Sequence, residues 1–548
     1  MNFIDKAIAW VSPERALRRE YGRARLSLLR RFTNSGYSHS GASRKKKSMQ
    51  GWDSTSRSPQ EDIGSNLGLL RERSRDLYMS GGIATGAIKK NQSNIIGSGL
   101  TLKCQLNYRM LGLTPEEAKA WEERTEFEFN LWALSNIDHT GLLDFYDVQK
   151  VMLTGWLLNG DSLAVVKYAD VSEGINPYRL RLHLIEADRL CNPDSTFGYF
   201  SLFGLDGYDF SSYQELPNGG AIYNGLETDA SGKVVAYWIC NRYPNSLLPT
   251  RKPTEWVRVE AQNRVTGLPN VLFVVEPERA EQYRGVPYLA PVIEQIKQLN
   301  RYTEAEIAAA IVHSFFTAFI TTENQTNDIP FTDSIPEDEQ LKNLPIEERL
   351  SSYEMGSGTI NVLGPGEDVK FGEPKHPVSG FESFAKAMAQ LAGASLDLPY
   401  EVLLGVFNSS YSASRAALLQ AWRAFKDRRD WFAYAFCQPV YETWLFEAVA
   451  TGRIQAPGFF QDPVRRKLWS QAMWIGPSPG QIDPIKEVEA AVKRIEHGFS
   501  THERETAELT GMDWESNIDV LRREWEARRG LPQNGKRITV ERGETGNA

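Results

Sequence analysis

The sequence predicts an α+β protein in which a β-rich stretch lies between helical stretches. Between about residue 160 and residue 280, segments rich in Val, Tyr, Ile and Leu are bounded by turns that contain Gly or Pro. These predicted strands are SLAVVKY (162–168), RLRLHLIE (179–186), KVVAYWIC (233–240) and NVLFVVEP (270–277). Because the strands are irregularly spaced and do not alternate with helices, we expect a mixed body and not repeated βαβ units.

The composition is that of an ordinary globular protein. The chain has 548 residues, of which 41% are hydrophobic and 24% charged, and this length suggests about three or four domains. The four cysteines lie far apart without CxxC spacing, which argues against a zinc site or a disulfide framework and fits a reducing compartment. The longest uncharged stretch, 307–322, is too short to span a membrane, and the N-terminus lacks the apolar region of a secretory signal.

Charge is unevenly distributed along the chain. Residues 1–50 hold 12 Lys or Arg and 3 acids, whereas the whole chain carries −8, so the remainder is strongly acidic. A basic arm of this kind can bind nucleic acid, a membrane or an acidic partner, or can be a solvated tail. Its Arg- and Ser-rich composition is also that of a transit peptide, and we interpret it as a tail. An acidic body is poorly suited to gripping nucleic acid, because phosphate contacts supply most of that affinity.

Helical patterns dominate the first 135 residues. Residues 3–31 favour helix with a break at Pro13, and residues 34–66 have the Ser/Gly content of a linker. Residues 69–96 are helical at both ends and interrupted at Ser80-Gly81-Gly82. Thr114 followed by a proline and two glutamates predicts the capped start of an amphipathic helix.

Helical patterns return after residue 286. Residues 287–318 keep one apolar face and predict a helix about 40 Å long. An acidic, Pro-punctuated insert follows at 323–354, and 359–371 predicts two short strands around a Gly-Pro-Gly turn. The helix predicted at 378–396 carries a narrow seam at 3-4-3-4 spacing, which predicts packing against another helix. The seam consists of Phe381, Phe384, Met388, Leu391 and Ser395.

The C-terminal part is predicted to be helical as well. A helix from about 412 to 450 should be kinked near Pro439. Residues 483–530 predict amphipathic helices separated by Gly498 and Gly511, and 531–548 has the polar composition of a disordered tail.

The sequence carries no recognisable catalytic motif. GxxxxGK[ST] and HExxH are absent, and the acids of 323–354 lack EF-hand spacing. His497 and His502 are five residues apart, which does not place two imidazoles on one helical face, so surface histidines are favoured over a metal site. An SxxK at Ser43 lies in the tail, where a nucleophile cannot be preorganised. We predict no catalytic residue, no metal and no cofactor.

Four segments resemble, in content and order, the lambda-type family of portal proteins of tailed bacteriophages. They are RSRDLYMSGGIATGAIKKNQSNIIGSGL (73–100), YRGVPYLAPVIEQIKQL (283–299), LPYEVLLGVFNSSYSASRAALLQAWRAF (398–425) and DPIKEVEAAVKRIEHGFSTHERETAELTG (483–511). Each motif is weak alone, whereas four in the same order are specific, and together they extend over most of residues 70–530.

The resemblance implies a ring, usually of twelve copies, at one capsid vertex, through which double-stranded DNA passes without sequence preference. It implies a virion protein that is assembled in the host cytoplasm, initiates head assembly, is not an enzyme and has no membrane partner. Its expected partners are itself, the large terminase subunit, the major capsid and scaffold proteins, and a head-completion or neck protein.

By position, the family's parts divide the chain into nine segments. They are a basic arm and linker (1–59), wing (60–286), stem helix 1 (287–318), clip (319–377), stem helix 2 (378–397), tunnel loop (398–414), wing return (415–475), helical crown (476–530) and tail (531–548).

The same resemblance suggests residues that face the DNA channel. Lys297, Arg301 and Lys386 are the expected channel bases. The tunnel loop would present short, exchangeable hydrogen-bonding groups to a moving backbone. Those groups belong to Asn408, Ser409, Ser410, Tyr411 and Ser412. The alternative is a surface turn in which Ser410 or Ser412 caps the next helix.

Arg415 is expected to need an anionic partner, because it opens a helix whose positive end disfavours a cation. That partner would lie on a neighbouring subunit, and simple exposure to solvent is the alternative.

Two other classes of function compete with a portal. A DNA-processing enzyme with a basic docking arm would be a monomer or dimer with turnover. Another head or neck structural protein would lack the order of stem, clip, stem and loop.

Overall fold

The chain forms two units, Met1–Ser58 and Pro59–Ala548. The computed structural model describes residues 54–169, 176–193, 213–244, 246, 253–314, 318–322, 367–371, 380–407, 410–479 and 484–529, with short pieces before residue 53. In the first unit, Lys47–Met49 is a turn of 3₁₀ helix, and the helical residues described before residue 26 fall within the predicted segment 3–31. The acidic insert at 323–354 and the tail at 531–548 lie outside the described residues.

Six helices open the second unit, at the places where the sequence predicts turns and caps. Thr114 caps α5 by accepting the N–H of Glu117, whose side chain accepts the N–H of Thr114, and Gly82 separates α2 from α3 at φ +75°. The helices are α1 (Pro59–Gly64), α2 (Leu67–Met79), α3 (Ile83–Ile95), α4 (Tyr108–Leu111), α5 (Pro115–Ala133) and α6 (Phe145–Asn159).

The β-rich stretch forms two antiparallel sheets, and the four predicted strands are confirmed within it. One sheet has the order β3-β2-β9 and the other β4-β5-β6-β7-β8. The strands are β2 (Asp161–Tyr168), β3 (Leu180–Ile185), β4 (Tyr213–Glu215), β5 (Ala221–Tyr223), β6 (Leu226–Thr228), β7 (Val234–Cys240), β8 (Trp256–Glu260) and β9 (Val271–Val275). A short 3₁₀ helix, Ala187–Arg189, follows β3.

Two further ribbons connect distant parts of the sequence. Strand β1 (Thr101–Cys104) pairs with β12 (Ala472–Ile475), and β10 (Ala318–Thr322) pairs with β11 (Glu367–Phe371). The strand at 367–371 was expected, but its partner is β10; the other strand expected around the Gly-Pro-Gly turn lies outside the described residues.

The helix expected at 287–318 is shorter than predicted. A 3₁₀ turn, Ala290–Val292, leads into α7 (Ile293–Ser314), and β10 begins at Ala318. Pro287 and Pro291 lack the N–H groups of a regular helix, so the regular α-helix begins after them. At 1.5 Å per residue α7 is about 33 Å long.

The remaining helices follow the predicted order. They are α8 (Phe381–Ser395), α9 (Tyr400–Leu404), α10 (Tyr411–Phe432), α11 (Gln438–Ala450), α12 (Pro463–Trp469), α13 (Pro484–Glu496), α14 (His502–Thr510) and α15 (Trp514–Arg529). Gly498 and Gly511 separate the last three helices at φ +71° and +68°.

The expected break near Pro439 is a turn of π-helix, Ala433–Cys437, between α10 and α11. Proline cannot donate the hydrogen bond of a regular helix, and the wider turn accommodates this. Beyond it, the carboxylate of Glu447 accepts the N–H groups of Arg179 at 2.6 Å and Leu180 at 3.0 Å, which ties α11 to the start of β3.

The main hydrophobic core is formed mostly by helices and is rich in aromatic rings. Phe129 of α5 lies at its centre, with the rings of Phe145, Tyr441 and Trp444 edge-on to it at 5.1–5.7 Å between centroids. A second, smaller core lies between the two sheets, where β2, β3 and β9 meet β6 and β7. Its buried members are Leu163, Val165, Ile185, Leu190, Leu226, Tyr237, Ile239 and Val271.

Candidate functional site

Helices α7 and α8 form the pair for which the family resemblance predicts a channel lining. Aromatic rings contribute to the contact between them: the ring of Tyr302 on α7 lies 4.9 Å from that of Phe384 and 5.5 Å from that of Phe381 on α8. Ala389, Ala392 and Gly393 of α8 are buried, and Gly393 lies against Leu398 and Leu403 of the following segment.

The apolar seam predicted on α8 lies only partly in this intrachain contact, to which Phe381 and Phe384 contribute. Leu391 is 57% exposed, Phe384 is 47% exposed, and Ser395 is exposed. The predicted packing of the seam against another helix is therefore confirmed for Phe381 and Phe384, whereas Leu391 and Ser395 remain exposed in the single chain. The seam side chains at 384 and 391 remain available on the surface of the single chain.

The three expected channel bases are exposed. Lys297 and Arg301 lie one turn apart on α7, at positions flanked by the buried Ile296 and Leu299. Lys386 lies on α8, with its ammonium 5.1 Å from the ring centroid of Tyr400. This pairing is a cation–π contact with the start of α9, so Lys386 also binds the segment that follows the helix pair.

A tight reversal follows α8 and sets the direction of the next segment. Asp397 has φ +53°, and the N–H of Leu398 donates to the carbonyl of Gly393 at 2.9 Å. A Cβ on Gly393 would lie 2.4 Å from the carbonyl oxygen of Leu398, so only glycine fits. Arg428 donates to the carbonyl of Leu396 at 3.4 Å and to the carboxylate of Asp397 at 3.3 Å.

Lys90 of α3 holds the end of α9. Its ammonium donates to the carbonyl of Leu403 at 2.7 Å and to that of Val402. These carbonyls lack partners inside so short a helix, and a cation at a helix C-terminus is favourable. Burial lowers the pKa of Lys90 below its ordinary value. The segment before residue 405 is thus bound to the body on both sides, by Lys90 and by Arg428.

The predicted tunnel loop, 398–414, is largely helical where it is described. Residues Tyr400–Leu404 form α9, and α10 begins at Tyr411, so Tyr411 and Ser412 belong to a helix. Asn408 and Ser409 lie outside the described residues. Ser410 caps α10, because its hydroxyl accepts the N–H of Ala413 at 3.4 Å, as the alternative interpretation expected.

Arg415 has an anionic partner within the same chain. Its guanidinium lies 3.8 Å from the carboxylate of Glu487 on α13, and its side chain is 37% exposed. The expected carboxylate therefore exists without a neighbouring subunit, and a role for Arg415 between subunits stays a prediction.

A buried ion cluster before α7 was missed by the sequence analysis. Asp161, which is fully buried, accepts from Arg284 at 2.7 Å and from Arg71 at 2.8 Å. Burial lowers the pKa of Arg71, and the charge of Asp161 only partly compensates. Arg284 belongs to the motif YRGVPY, which carried the family resemblance, but its partner is 123 residues away and has no local signal.

Tight backbone packing accompanies the cluster. A Cβ on Gly285 would lie 1.8 Å from the carbonyl oxygen of Gly160, so both glycines are required where β2 begins beside the segment leading to α7. The cluster and the glycine contact together fix the start of α7 relative to the sheet β3-β2-β9.

Within the described residues, no group of three or more His, Cys, Asp or Glu side chains is arranged to hold a metal ion. His497 lies against Phe499 and His502 stacks on Trp514, with centroids 6.2 Å and 5.7 Å apart. In the same part of the chain, no helix combines the length and apolar character needed to cross a membrane.

Comparison with known proteins identifies the family. The model of the lambda family of phage portal proteins matches residues 45–429, which is more than half of the chain. The chain belongs to this family. It is a portal protein of a tailed phage, and such proteins are components of the virion.

Named relatives agree with this membership. The chain is 26% identical to the portal protein of Escherichia phage N15 over 474 residues, which is 84% of each chain. It is also 26% identical to portal protein B of Escherichia phage lambda over 487 residues, which is 86% of each chain.

Among solved structures, the likeness is more distant. A chain from the neck of a native GTA particle, computed with C12 symmetry, aligns with 80% of this chain and 92% of its own length, at 10% identity and a TM-score of 0.41. An HK97-family phage portal protein from Corynebacterium diphtheriae aligns with 74% of this chain and 94% of its own, at a TM-score of 0.26.

Proposed function

We propose that copies of this chain close into a ring at one capsid vertex, through which double-stranded DNA is packaged and ejected. The ring would also dock the large terminase subunit and a neck protein, contact the capsid and scaffold proteins, and initiate head assembly. The main support is the family match across residues 45–429. The division into wing, stem, clip, tunnel loop and crown belongs to the same proposal.

The dimensions of α-helices are compatible with a DNA channel. Twelve helices of about 10 Å width, set side by side, need a circle of roughly 120 Å, which is about 38 Å across at the helix axes. Removing one helix width leaves a bore about 28 Å in diameter, which is wide enough for a duplex of roughly 20 Å. Helix α7, or α8, would supply one such helix from each subunit.

The charge of the helix pair suits a polyanion that must slide. On α7 and α8, acids at Glu294, Glu304, Glu306 and Glu382 outnumber the bases Lys297, Arg301 and Lys386. Each phosphate that a base neutralises adds affinity, and tight binding would stall DNA. A wall with few bases and a slight acidic excess would therefore favour movement over retention.

Exposed apolar side chains on α8 support self-association. Leu391 and Phe384 form an apolar pair of the seam, and the face of a neighbouring copy would remove them from water. In a ring, one surface of each subunit contacts a different surface of the next subunit. The exposed face of α8 therefore does not have to pack against its own copy across a two-fold axis.

Negative-stain microscopy and mass photometry of the purified full-length chain test the proposal. We expect rings with a central hole in the wild type, and smaller species when Leu391→Glu places a charge on the seam. Val265→Glu, at a position 94% exposed on another surface, is the matched control and should still give rings. Small, solid particles of the wild type would contradict the formation of a ring. Intact rings of Leu391→Glu would contradict a role for the seam in the contact between subunits.

A further inference from the structure

The last three helices, α13 to α15, pack on the body without joining its hydrophobic cores. We call Pro484–Arg529 the crown segment. Of its described residues only Ala491 and Glu505 are buried, and neither described core includes a residue beyond Trp474. Apolar burial, which usually dominates association, is therefore a minor contribution to this contact.

Five ion pairs connect the crown segment to the body instead, and these five have the same polarity. The crown segment supplies the carboxylate and the body supplies the cation in each pair. The pairs are Glu487 with Arg415 at 3.8 Å, Glu508 with Lys426 at 3.1 Å, Asp513 with Lys103 at 3.4 Å, and Glu515 with Lys103 at 3.0 Å and Lys119 at 3.1 Å.

Lys103 is the centre of this contact. It lies on β1, its side chain is only 7% exposed, and it is shared by Asp513, Glu515 and the body residue Glu126. Burial opposes the charge of Lys103, but the three carboxylates outweigh burial and raise its pKa. The other cations, Arg415, Lys119 and Lys426, are 37–55% exposed, so their pairs are individually weak.

The crown segment also has contacts of its own. Arg494 of α13 forms a double hydrogen bond with Glu505 of α14, at 2.5 and 2.8 Å, and His502 of α14 stacks on Trp514 of α15. Because these contacts join its helices to each other, the segment can separate from the body without breaking them.

From these observations we infer that the crown segment is docked electrostatically and is released from the body when its ion pairs are screened. Lys103 is the central positioning residue of the docked state. This inference concerns contacts within one chain, so it holds whether or not the ring forms.

Salt distinguishes this arrangement from apolar docking. The exposed pairs of Arg415, Lys119 and Lys426 weaken as the screening length falls from about 10 Å at 0.1 M salt to about 3 Å at 1 M, and the more buried pairs of Lys103 weaken less. Salt does not weaken apolar contacts in this way. Released helices of 9 to 16 residues are marginal alone, so their amide protons would exchange faster with solvent.

Hydrogen–deuterium exchange of the full-length chain, at about 0.05 M and about 1 M NaCl, tests the inference. We expect exchange in 484–529 to rise more than about tenfold at high salt, while exchange in the buried helix α11 stays constant. Equal exchange in the crown segment at both salt concentrations would overturn the inference.

Matched variants locate the effect. Lys103→Met should release the crown segment at low salt, and Lys119→Met or Lys426→Met should each raise its exchange roughly two- to fivefold. Lys150→Met is the control, because Lys150 pairs with Asp147 at 3.1 Å on α6, where no crown carboxylate is involved.

The two exposed variants keep the test decisive if Lys103→Met does not fold. Reversing the pair, with Lys426→Glu and Glu508→Lys together, should restore wild-type exchange. If Lys119→Met and Lys426→Met both behave like Lys150→Met, the docking is not electrostatic.

Discussion

Asp161 shows how one buried charge can hold distant segments together. It accepts from Arg71 and Arg284, and the N–H of Gly285 also donates to it at 3.2 Å. Removing one partner of a buried pair leaves the others uncompensated, which is costlier than losing a surface pair.

We therefore expect Asp161→Asn to destabilise the chain by about 3–5 kcal/mol, because two buried guanidinium groups lose the carboxylate that they share, and Arg71 keeps only its pair with Asp188. The change should lower the midpoint of thermal unfolding and the soluble yield. Asp147→Asn, at an exposed carboxylate paired with Lys150, is the control and should change the free energy of unfolding by about 0–1 kcal/mol. An unchanged midpoint in Asp161→Asn would show that the cluster is not needed for stability.

Glu126 gives the body a pH dependence near neutrality. Burial raises the pKa of Glu126 to about 7, against the opposing effects of Lys103 and the N–H of Cys104, and Asp513 raises it further. A carboxyl group whose pKa is higher in the folded chain than in the unfolded chain stabilises the folded state most at pH values below its unfolded pKa. That stability is lost as the pH rises through about 7.

The wild type should accordingly lose about 1.3 kcal/mol of stability between pH 6 and pH 8, and Glu126→Gln should lose less. The glutamine oxygen can still accept the N–H of Cys104, which the glutamate accepts at 2.8 Å. Thermal midpoints of both proteins across this range provide the measurement. Parallel pH profiles would mean that Glu126 does not titrate there.

At the scale of elements, Lys90 links α3 to α9, and its two bonds fix where the following loop begins. Each hydrogen bond from a charged donor contributes about 1.5–3 kcal/mol. Lys90→Met should therefore raise amide exchange in Tyr400–Leu404 by about tenfold or more. Lys89→Met, at the exposed neighbouring position, is the control and should leave amide exchange in α9 unchanged. Equal exchange in both variants would show that Lys90 does not hold α9 in place.

Local sequence patterns predicted the strong elements well. The strands at Asp161–Tyr168 and Val234–Cys240 are long runs of β-branched and aromatic residues, and the cap at Thr114 has a complete capping box. The three-residue strands such as Tyr213–Glu215 carry no alternation over so short a length and were missed.

Most of the contacts that position the candidate site could not be predicted from local sequence patterns. Lys90 and Leu403 are 313 residues apart, so no periodicity connects them. On α8 the apolar seam was identified, and Phe381 and Phe384 of it contact Tyr302 of α7. Periodicity alone does not say that Leu391 of the same seam stays exposed in the single chain.

At the scale of the whole molecule, the proposed channel makes a prediction about salt. Replacing Lys297, Arg301 and Lys386 by Gln should weaken DNA binding by purified rings, because each contact with a phosphate is lost in every subunit. The slope of log affinity against log salt should become shallower by about 0.9 for each lost phosphate contact. The measurement is DNA binding at several salt concentrations.

Lys150→Gln is the control for this triple change, since Lys150 lies on α6 outside the helix pair. It should leave the salt slope and packaging unchanged. If the triple variant also retained and packaged DNA like the wild type, these bases would not line the channel.

The π-helical turn before Pro439 determines where the chain can vary in length. Such a turn holds one residue more than a turn of α-helix, so a single-residue deletion between Phe432 and Gln438 would let it close to the α-helical pitch and leave the following helix near its present phase. The same deletion between Gln438 and Glu447 would instead rotate the residues after it by about 100°. The Glu447 carboxylate would then point away from the N–H groups of Arg179 and Leu180, so helical phase opposes changes of length in this part of α11.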